Sequence, residues 1–162
     1  MRLLFVCTGN ICRSPTADAV ARQRLQLAGL DWIVDSAGTG GWHAGEAPDT
    51  RAVEAAARRA IDMSGLRARE LTGDDFRRFD HLVAMDAGHL RHMKRLRPGG
   101  AGVGAGGRIS RLLDWTDTHT GQDVPDPYYG GEEGFDHVLD LVEAGIDSLI
   151  AALREGRSQP SG

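Results

Sequence analysis

The strongest fold signal in the sequence is a change of pattern near its amino end. A continuous apolar run, Leu3–Val6, is followed by a polar loop and then by Ser14 and Pro15. An unbroken apolar run is typical of a strand buried on both faces of a parallel sheet. Ser14 is a good N-cap residue and proline is tolerated at the first helical position, so we expect a helix over Pro15–Ala28. The pattern predicts a strand–loop–helix unit of an α/β domain.

Strand and helix signals alternate along the rest of the chain. Further strands are expected at Trp32–Val34, at His81–Met85 and within Ile109–Leu113, with helices between them. The last helix is the clearest, because apolar residues from Phe135 to Leu153 recur at a spacing of three and four. This alternation predicts an open, doubly wound parallel sheet with helices on both faces.

The chain is expected to form a single domain over residues 1–155. Residues 156–162 have no apolar anchor and should fray, and the glycine-rich stretch Gly99–Gly107 should be a mobile loop. Asp86 is placed to cap a helix that contains His89. We interpret His89 as a solvated helix residue rather than a metal ligand.

Composition narrows the classes of function. The chain has 162 residues, 41% apolar and 26% charged, and a net charge of −4, which argues against non-specific nucleic-acid binding. No secretory signal opens the sequence and no apolar run approaches membrane length. The two cysteines, Cys7 and Cys12, lie too close together to staple a fold. We therefore expect a cytoplasmic protein with no nucleic-acid partner and no membrane insertion.

The loop after the first strand combines a thiol with a guanidinium, in the order Cys7-Thr8-Gly9-Asn10-Ile11-Cys12-Arg13-Ser14. A loop over a helix start presents backbone amides and the positive end of the helix dipole, which together bind anions. The same field favours the nucleophilic thiolate of Cys7. Arg13 supplies a planar fork for two oxygens of a phosphate, while Gly9 and Asn10 tolerate unusual backbone angles. No Walker-type Gly-Lys-Ser/Thr follows, and no second ligand pair for zinc exists.

Asp126 is the candidate proton donor for a departing oxygen. It lies in a Pro-Asp-Pro sequence, which restricts the backbone, and Tyr128 and Tyr129 follow it. Aromatic neighbours can make the surroundings of a carboxyl drier and so favour its protonated form. Taken alone, this segment is typical of an ordinary turn. Because the same chain also contains the thiol–guanidinium loop, we interpret Asp126 as a general acid.

Three segments carry a resemblance to one family, the low-molecular-weight protein tyrosine phosphatases. Cys7–Pro15 resembles the phosphate-binding loop of that family, Asp35–Trp42 its second loop and Asp126–Gly131 its general-acid loop. The similarity runs in order from Met1 to about Glu155. It implies a cytosolic enzyme with a four-stranded parallel sheet and neither metal nor cofactor. The implied substrate is a phosphotyrosine-containing protein, with a tyrosine kinase as one candidate partner.

The resemblance also implies roles for individual residues. Cys7, Arg13 and Asp126 would be catalytic. Ser14 would hydrogen-bond the thiolate, and Asn10 would brace the loop through a network that includes Ser36. The implied substrate-binding residues are Thr8, Gly9, Asn10, Ile11, Cys12, Ser14, Trp42, Tyr128 and Tyr129, the aromatic ones forming the pocket wall.

Two features of this loop and its surroundings stay open. Cys12 either forms a reversible disulfide with Cys7 under oxidation, as the family suggests, or simply packs. Leu66 stands where the family often has a histidine behind the loop, so we expect the polar network there to be trimmed or rebuilt.

Three alternative functions use a similar loop. An arsenate reductase on the same scaffold needs further cysteines, and none follows Cys12. A protein-arginine phosphatase typically has threonine where Ile11 stands, so Ile11 favours phosphotyrosine. A non-catalytic phosphotyrosine-binding module needs neither a thiolate nor an acid. The sequence predicts neither the physiological substrate nor the oligomeric state.

Overall fold

The sheet has four parallel strands, as expected. In a computed structural model of the chain, which describes residues 1–99, 106–128 and 130–161, the strand order is β2-β1-β3-β4. The strands are β1 (Arg2–Cys7), β2 (Ile33–Gly38), β3 (His81–Ala84) and β4 (Arg108–Arg111).

Helices cover both faces of this sheet, which confirms the predicted doubly wound arrangement. They are α1 (Arg13–Leu27), α2 (Thr50–Ala57), α3 (Asp75–Arg78), α4 (Ala87–Leu96) and α5 (Glu132–Arg154), with a 3₁₀ turn at Leu112–Trp115. Within the described ranges, no helix has both the length and the apolar character needed to cross a bilayer.

The central strand β1 divides the core into two layers. Leu3 and Phe5 pack on the side of α1, α2 and α5, whereas Leu4 and Val6 pack on the side of α3 and α4. All four side chains are fully buried. Because both faces of β1 are covered, its sequence is an unbroken apolar run rather than an alternating one.

The start of α1 differs from the expectation. Cys12 occupies the N-cap position and the helix begins at Arg13, so Ser14 and Pro15 both lie inside the first turn. The hydroxyl of Ser14 does not cap the helix because it is engaged by Cys7 and Asn10. The prediction that Ser14 is the N-cap was therefore wrong, and its side chain serves the loop instead.

The second strand is longer than predicted, and other boundaries shift slightly. β2 continues through Ser36 to Gly38 because it pairs in register with β1 as far as Cys7. β4 ends at Arg111, and the following residues form the 3₁₀ turn. Residues 100–105 of the predicted glycine-rich loop, and Gly162 of the predicted frayed tail, lie outside the described residues.

Candidate active site

The first strand delivers Cys7 to the carboxyl edge of the sheet, where the Cys7 loop (residues 7–14) turns into α1. The end of β2 holds this loop closely: the amide of Thr39 donates to the Cys7 carbonyl at 2.8 Å. Gly38 is the contact point, because a Cβ there would lie 2.7 Å from the Thr8 carbonyl oxygen. A side chain at position 38 would therefore push the loop away from the sheet.

Asn10 fixes the loop from within. Its backbone has a φ of 58°, in the left-handed region that asparagine tolerates, and its side chain is buried. Its amide nitrogen donates to the Ser14 hydroxyl at 2.8 Å and to the Ser36 hydroxyl at 2.9 Å. Its oxygen accepts from the amide of Arg69 at 3.0 Å. Every polar atom of the Asn10 side chain is thus used to hold the loop in one conformation.

The Cys7 sulfur lies 3.0 Å from the Ser14 hydroxyl oxygen. The Asn10 amide donates to that oxygen, so the hydroxyl hydrogen of Ser14 is shared between the sulfur and the more distant Ala37 carbonyl, at 3.4 Å; directed at sulfur, it stabilises a negative charge there. Cys12 differs: burial, together with the negative charge of Asp49, raises its pKa to about 12. Cys12 is therefore a neutral thiol at physiological pH, and Cys7 is the candidate nucleophile.

The backbone of the Cys7 loop has unused donors. In the part of the chain that the structure describes, the amides of Thr8 through Ser14 donate to no protein acceptor. A helix start alone leaves fewer backbone amides without an acceptor than this loop does. The free amides can donate hydrogen bonds to the equatorial oxygens of a bound oxyanion.

Arg13 is held from behind by a partner that sequence reasoning did not identify. Its Nη1 donates to Asp86 Oδ2 at 2.8 Å and to the Val124 carbonyl at 3.0 Å, and its side chain is only 5% exposed. Burial alone would raise the pKa of Asp86, but hydrogen bonds from the His89 amide and from Arg13 bring that pKa below its usual value. Asp86 therefore stays ionised and fixes one side of the guanidinium.

His89 is the second residue whose place was missed. Its Nε2 lies 2.8 Å from the Thr8 hydroxyl, and burial together with the charge of Arg13 lowers its pKa to about 4. The prediction of a solvated His89 was wrong, because the first turn of α4 packs against the Cys7 loop. Asp86, which does cap α4 through the His89 amide, was the available sequence signal.

Asp126 faces the same cavity from the Asp126 loop (Pro125–Tyr128). Its Oδ1 accepts from the Tyr128 amide at 3.0 Å, and its Oδ2 lies 3.8 Å from Arg13 Nη2. The dry surroundings expected from its aromatic neighbours are not observed, because the side chain is 49% exposed. Its position over the cavity, rather than burial, makes it the candidate acid.

The cavity has a volume of about 230 Å³ and brings most of the predicted residues together. Its lining consists of Cys7, Thr8, Gly9, Ile11, Cys12, Arg13, Trp42, His43, Asp126 and Tyr128. Trp42 forms an exposed rim, whereas Asn10, Ser14 and Ser36 lie behind the loop. His43 was not predicted; it packs over Gly9, where a Cβ would come within 2.9 Å of its ring. Tyr129 lies outside the described residues.

Behind the loop, Leu66 shares a second cavity with a buried carboxyl that lacks a full set of hydrogen bonds. Leu66 packs partly buried against the core and lines this cavity, of about 540 Å³, together with Asp18 and Ser36. One oxygen of Asp18 pairs with Arg22, and the other has no partner among the described residues. Burial raises the pKa of Asp18, an effect that Arg22 partly offsets. Over the same residues, no group of three or more His, Cys, Asp or Glu side chains is placed to hold a metal ion.

Comparison with known proteins agrees with this geometry. The model of the family described as low molecular weight phosphotyrosine protein phosphatase matches residues 2–159. A low molecular weight protein-tyrosine-phosphatase of Streptomyces coelicolor is 48% identical over 95% of this chain and 94% of its own. The structure of an Entamoeba histolytica protein tyrosine phosphatase, with Hepes in its active site, superposes with a TM-score of 0.88 at 38% identity, covering 96% of this chain and 98% of that one. A Drosophila arginine phosphatase superposes with a TM-score of 0.86 at 27% identity, over 95% and 98% of the two chains. The chain therefore belongs to the low molecular weight phosphotyrosine protein phosphatase family.

Proposed function

We propose that this protein is a protein-tyrosine phosphatase that hydrolyses aryl phosphate monoesters through a phosphocysteine intermediate. The observation that carries the proposal is the arrangement in one cavity of the Cys7 sulfur, the Arg13 guanidinium and the Asp126 carboxyl. These groups supply a nucleophile, an oxyanion clamp and a proton donor, which are the three needs of phosphate-ester cleavage.

In the first step the Cys7 thiolate attacks phosphorus in line with the departing oxygen, forming an S–P bond as the P–O bond breaks. The amides of Thr8 through Ser14 and the inner edge of Arg13 bind the equatorial oxygens. Asp126 donates its proton to the departing phenolate, which leaves as the neutral phenol. Acid catalysis of this kind contributes about 10²- to 10⁴-fold in rate.

In the second step the phosphocysteine is hydrolysed. The ionised Asp126 accepts a proton from water as the water oxygen attacks phosphorus, and the S–P bond breaks. Inorganic phosphate leaves and the Cys7 thiolate is restored, with the Ser14 hydroxyl stabilising its charge.

The pocket walls support phosphotyrosine over smaller phosphoesters. Trp42 and Tyr128 line the cavity together with the Cys7 loop, and their rings offer an aromatic surface that a flat aryl group can contact. Similarity to an arginine phosphatase makes phosphoarginine the alternative substrate, although Ile11 favours phosphotyrosine. The proposed site of action is the cytoplasm, where a reducing environment keeps Cys7 and Cys12 as free thiols.

Hydrolysis of 4-nitrophenyl phosphate in the presence of a metal chelator tests the activity. The wild-type protein should turn over, and Cys7→Ser should be inactive, because serine at this site is not ionised. The matched variant Cys12→Ser should keep most of the activity. Activity that needs added metal, or that survives in Cys7→Ser, would reject the mechanism.

A panel of phosphotyrosine, phosphoserine and phosphoarginine peptides then tests the substrate class. We expect kcat/KM to be highest for phosphotyrosine and the serine ester to be the poorest, because its short side chain does not reach the base of the cavity. A preference for phosphoarginine would replace phosphotyrosine with the alternative.

A further inference from the structure

Arg51, near the start of α2, joins the two loops that form the active site. Its Nη2 donates to the carbonyl of Tyr128 at 2.9 Å, and its Nη1 lies 3.4 Å from the carbonyl of Gly130. The two carbonyls belong to the second and fourth residues after Asp126. The guanidinium therefore holds the backbone of the segment that presents the proposed acid.

The other edge of Arg51 is anchored on the side of the Cys7 loop. Its Nε and Nη2 bind the two oxygens of Asp49 at 3.1 and 3.0 Å, a two-point contact that fixes the plane of the guanidinium. The amide of Asp49 in turn donates to the Ile11 carbonyl at 2.8 Å. A continuous path of hydrogen bonds thus runs from the Cys7 loop through Asp49 and Arg51 to the Asp126 loop.

Arg51 also packs against rings. Its guanidinium lies 5.6 Å from the ring centre of Tyr128 and 4.8 Å from that of Phe135. Tyr128 is thus contacted at its carbonyl and at its ring, while its amide holds the Asp126 carboxylate. Asp126 is half exposed, and among the described residues its carboxylate accepts from the Tyr128 amide and lies 3.8 Å from Arg13.

We propose that Arg51 is a positioning residue for the general acid: it sets the Asp126 loop over the Cys7 loop and contacts no reacting atom. The proposal rests on the proposed function, in which Asp126 protonates the leaving group. Loosening this connection should weaken the proton transfers that depend on Asp126, most of all to a leaving group that needs the proton, and should leave the Cys7 thiolate itself unchanged.

The test compares two leaving groups. Phenyl phosphate, a poor leaving group, needs the acid, whereas 4-nitrophenyl phosphate needs it less. In Arg51→Gln we expect kcat/KM to fall about tenfold for phenyl phosphate and only about twofold for 4-nitrophenyl phosphate. Arg51→Lys should recover little, because lysine lacks the planar fork that binds Asp49 and Tyr128 together.

The matched control is Arg58→Gln. Arg58 ends the same helix but pairs with Asp136 on α5, 3.3 Å away, so the variant loses the same charge without touching the Asp126 loop. It should resemble wild type on both substrates. The melting temperature of each variant is measured in parallel, since a purely structural role of Arg51 would lower stability and slow both substrates equally.

A double-mutant cycle gives the decisive result. In an Asp126→Ala background, Arg51→Gln should cost nothing further on phenyl phosphate, because the group it positions has gone. An equal loss on both substrates, or the same loss with and without Asp126, would overturn the proposal. Failure of the proposed function is distinguishable, because wild type and Asp126→Ala would then fail to differ in their dependence on the leaving group.

Discussion

At the base of the active-site cavity, Cys7 and Cys12 differ in what their sulfur atoms contact. The Cys7 sulfur has a hydroxyl at 3.0 Å, whereas Cys12 is buried and its pKa is raised to about 12. Near neutral pH, iodoacetamide should therefore modify Cys7 and leave Cys12 unmodified. Peptide mass spectrometry measures both sites. Labelling should persist in Cys12→Ser and disappear in Cys7→Ser; equal labelling of the two cysteines would contradict the assignment.

Asp18 predicts a pH dependence of stability. Burial raises its pKa, so the folded state holds the proton more tightly than the unfolded state does. The stabilisation from this group is complete below the unfolded pKa and is lost as pH rises through the folded pKa. Relative to Asp18→Asn, the wild-type free energy of unfolding should therefore decline as the pH rises above about 4, the ordinary pKa of an aspartate.

Urea unfolding at a series of pH values measures this difference. Asp31→Asn, at an exposed position, serves as the control and should follow the wild-type curve. If the wild-type and Asp18→Asn curves stay parallel, the unpartnered oxygen of Asp18 does not titrate in this range.

At the scale of elements, the end of β2 determines where the Cys7 loop sits. In Gly38→Ala the new Cβ would meet the Thr8 and Gly40 carbonyl oxygens at 2.7 and 2.9 Å, both of them backbone atoms that cannot rotate away. We expect a loss of about 1–3 kcal/mol of stability. A fall in kcat/KM should accompany it. Gly99→Ala, where the added Cβ meets nothing within 4 Å, should show neither effect in the same two measurements.

Elements whose pattern depends on local sequence were predictable. β1 was recognised because a strand buried on both faces has an unbroken run of apolar residues. α5 was recognised because a helix buried on one face has apolar residues at a spacing of three and four. The full extent of β2 was not predictable, because residues 36–38 are extended only through pairing with β1. The misassigned cap at Ser14 has a similar origin, since its hydroxyl binds groups elsewhere in the loop.

Some residues of the candidate site were also predictable from local sequence, whereas others were not. Cys7, Arg13 and Asp126 stand in short segments whose residue types already indicate their chemistry. Asp86 and His89 act through the packing of α4 on the Cys7 loop. The sequence indicates Asp86 as a helix cap, but that local pattern does not show which loop the helix start contacts.

For the whole molecule, the sheet brings three distant segments to one edge. β1 ends at Cys7, α4 begins behind Arg13, and the Asp126 loop crosses above both. If the loop supplies the acid, Asp126→Ala should lower kcat/KM for phenyl phosphate by about 10²- to 10⁴-fold. The fall in kcat/KM for 4-nitrophenyl phosphate should be much smaller. Equal falls for the two substrates would show that Asp126 is not the general acid.

Trapping the covalent intermediate tests the central claim, that Cys7 takes the phosphoryl group, most directly. The protein is mixed with 4-nitrophenyl phosphate, quenched in acid within its first turnovers, and digested for mass spectrometry. We predict one added phosphoryl group on the peptide that contains Cys7, present in Cys12→Ser and absent in Cys7→Ser. A phosphoryl group on another residue, or turnover by Cys7→Ser, would contradict the claim.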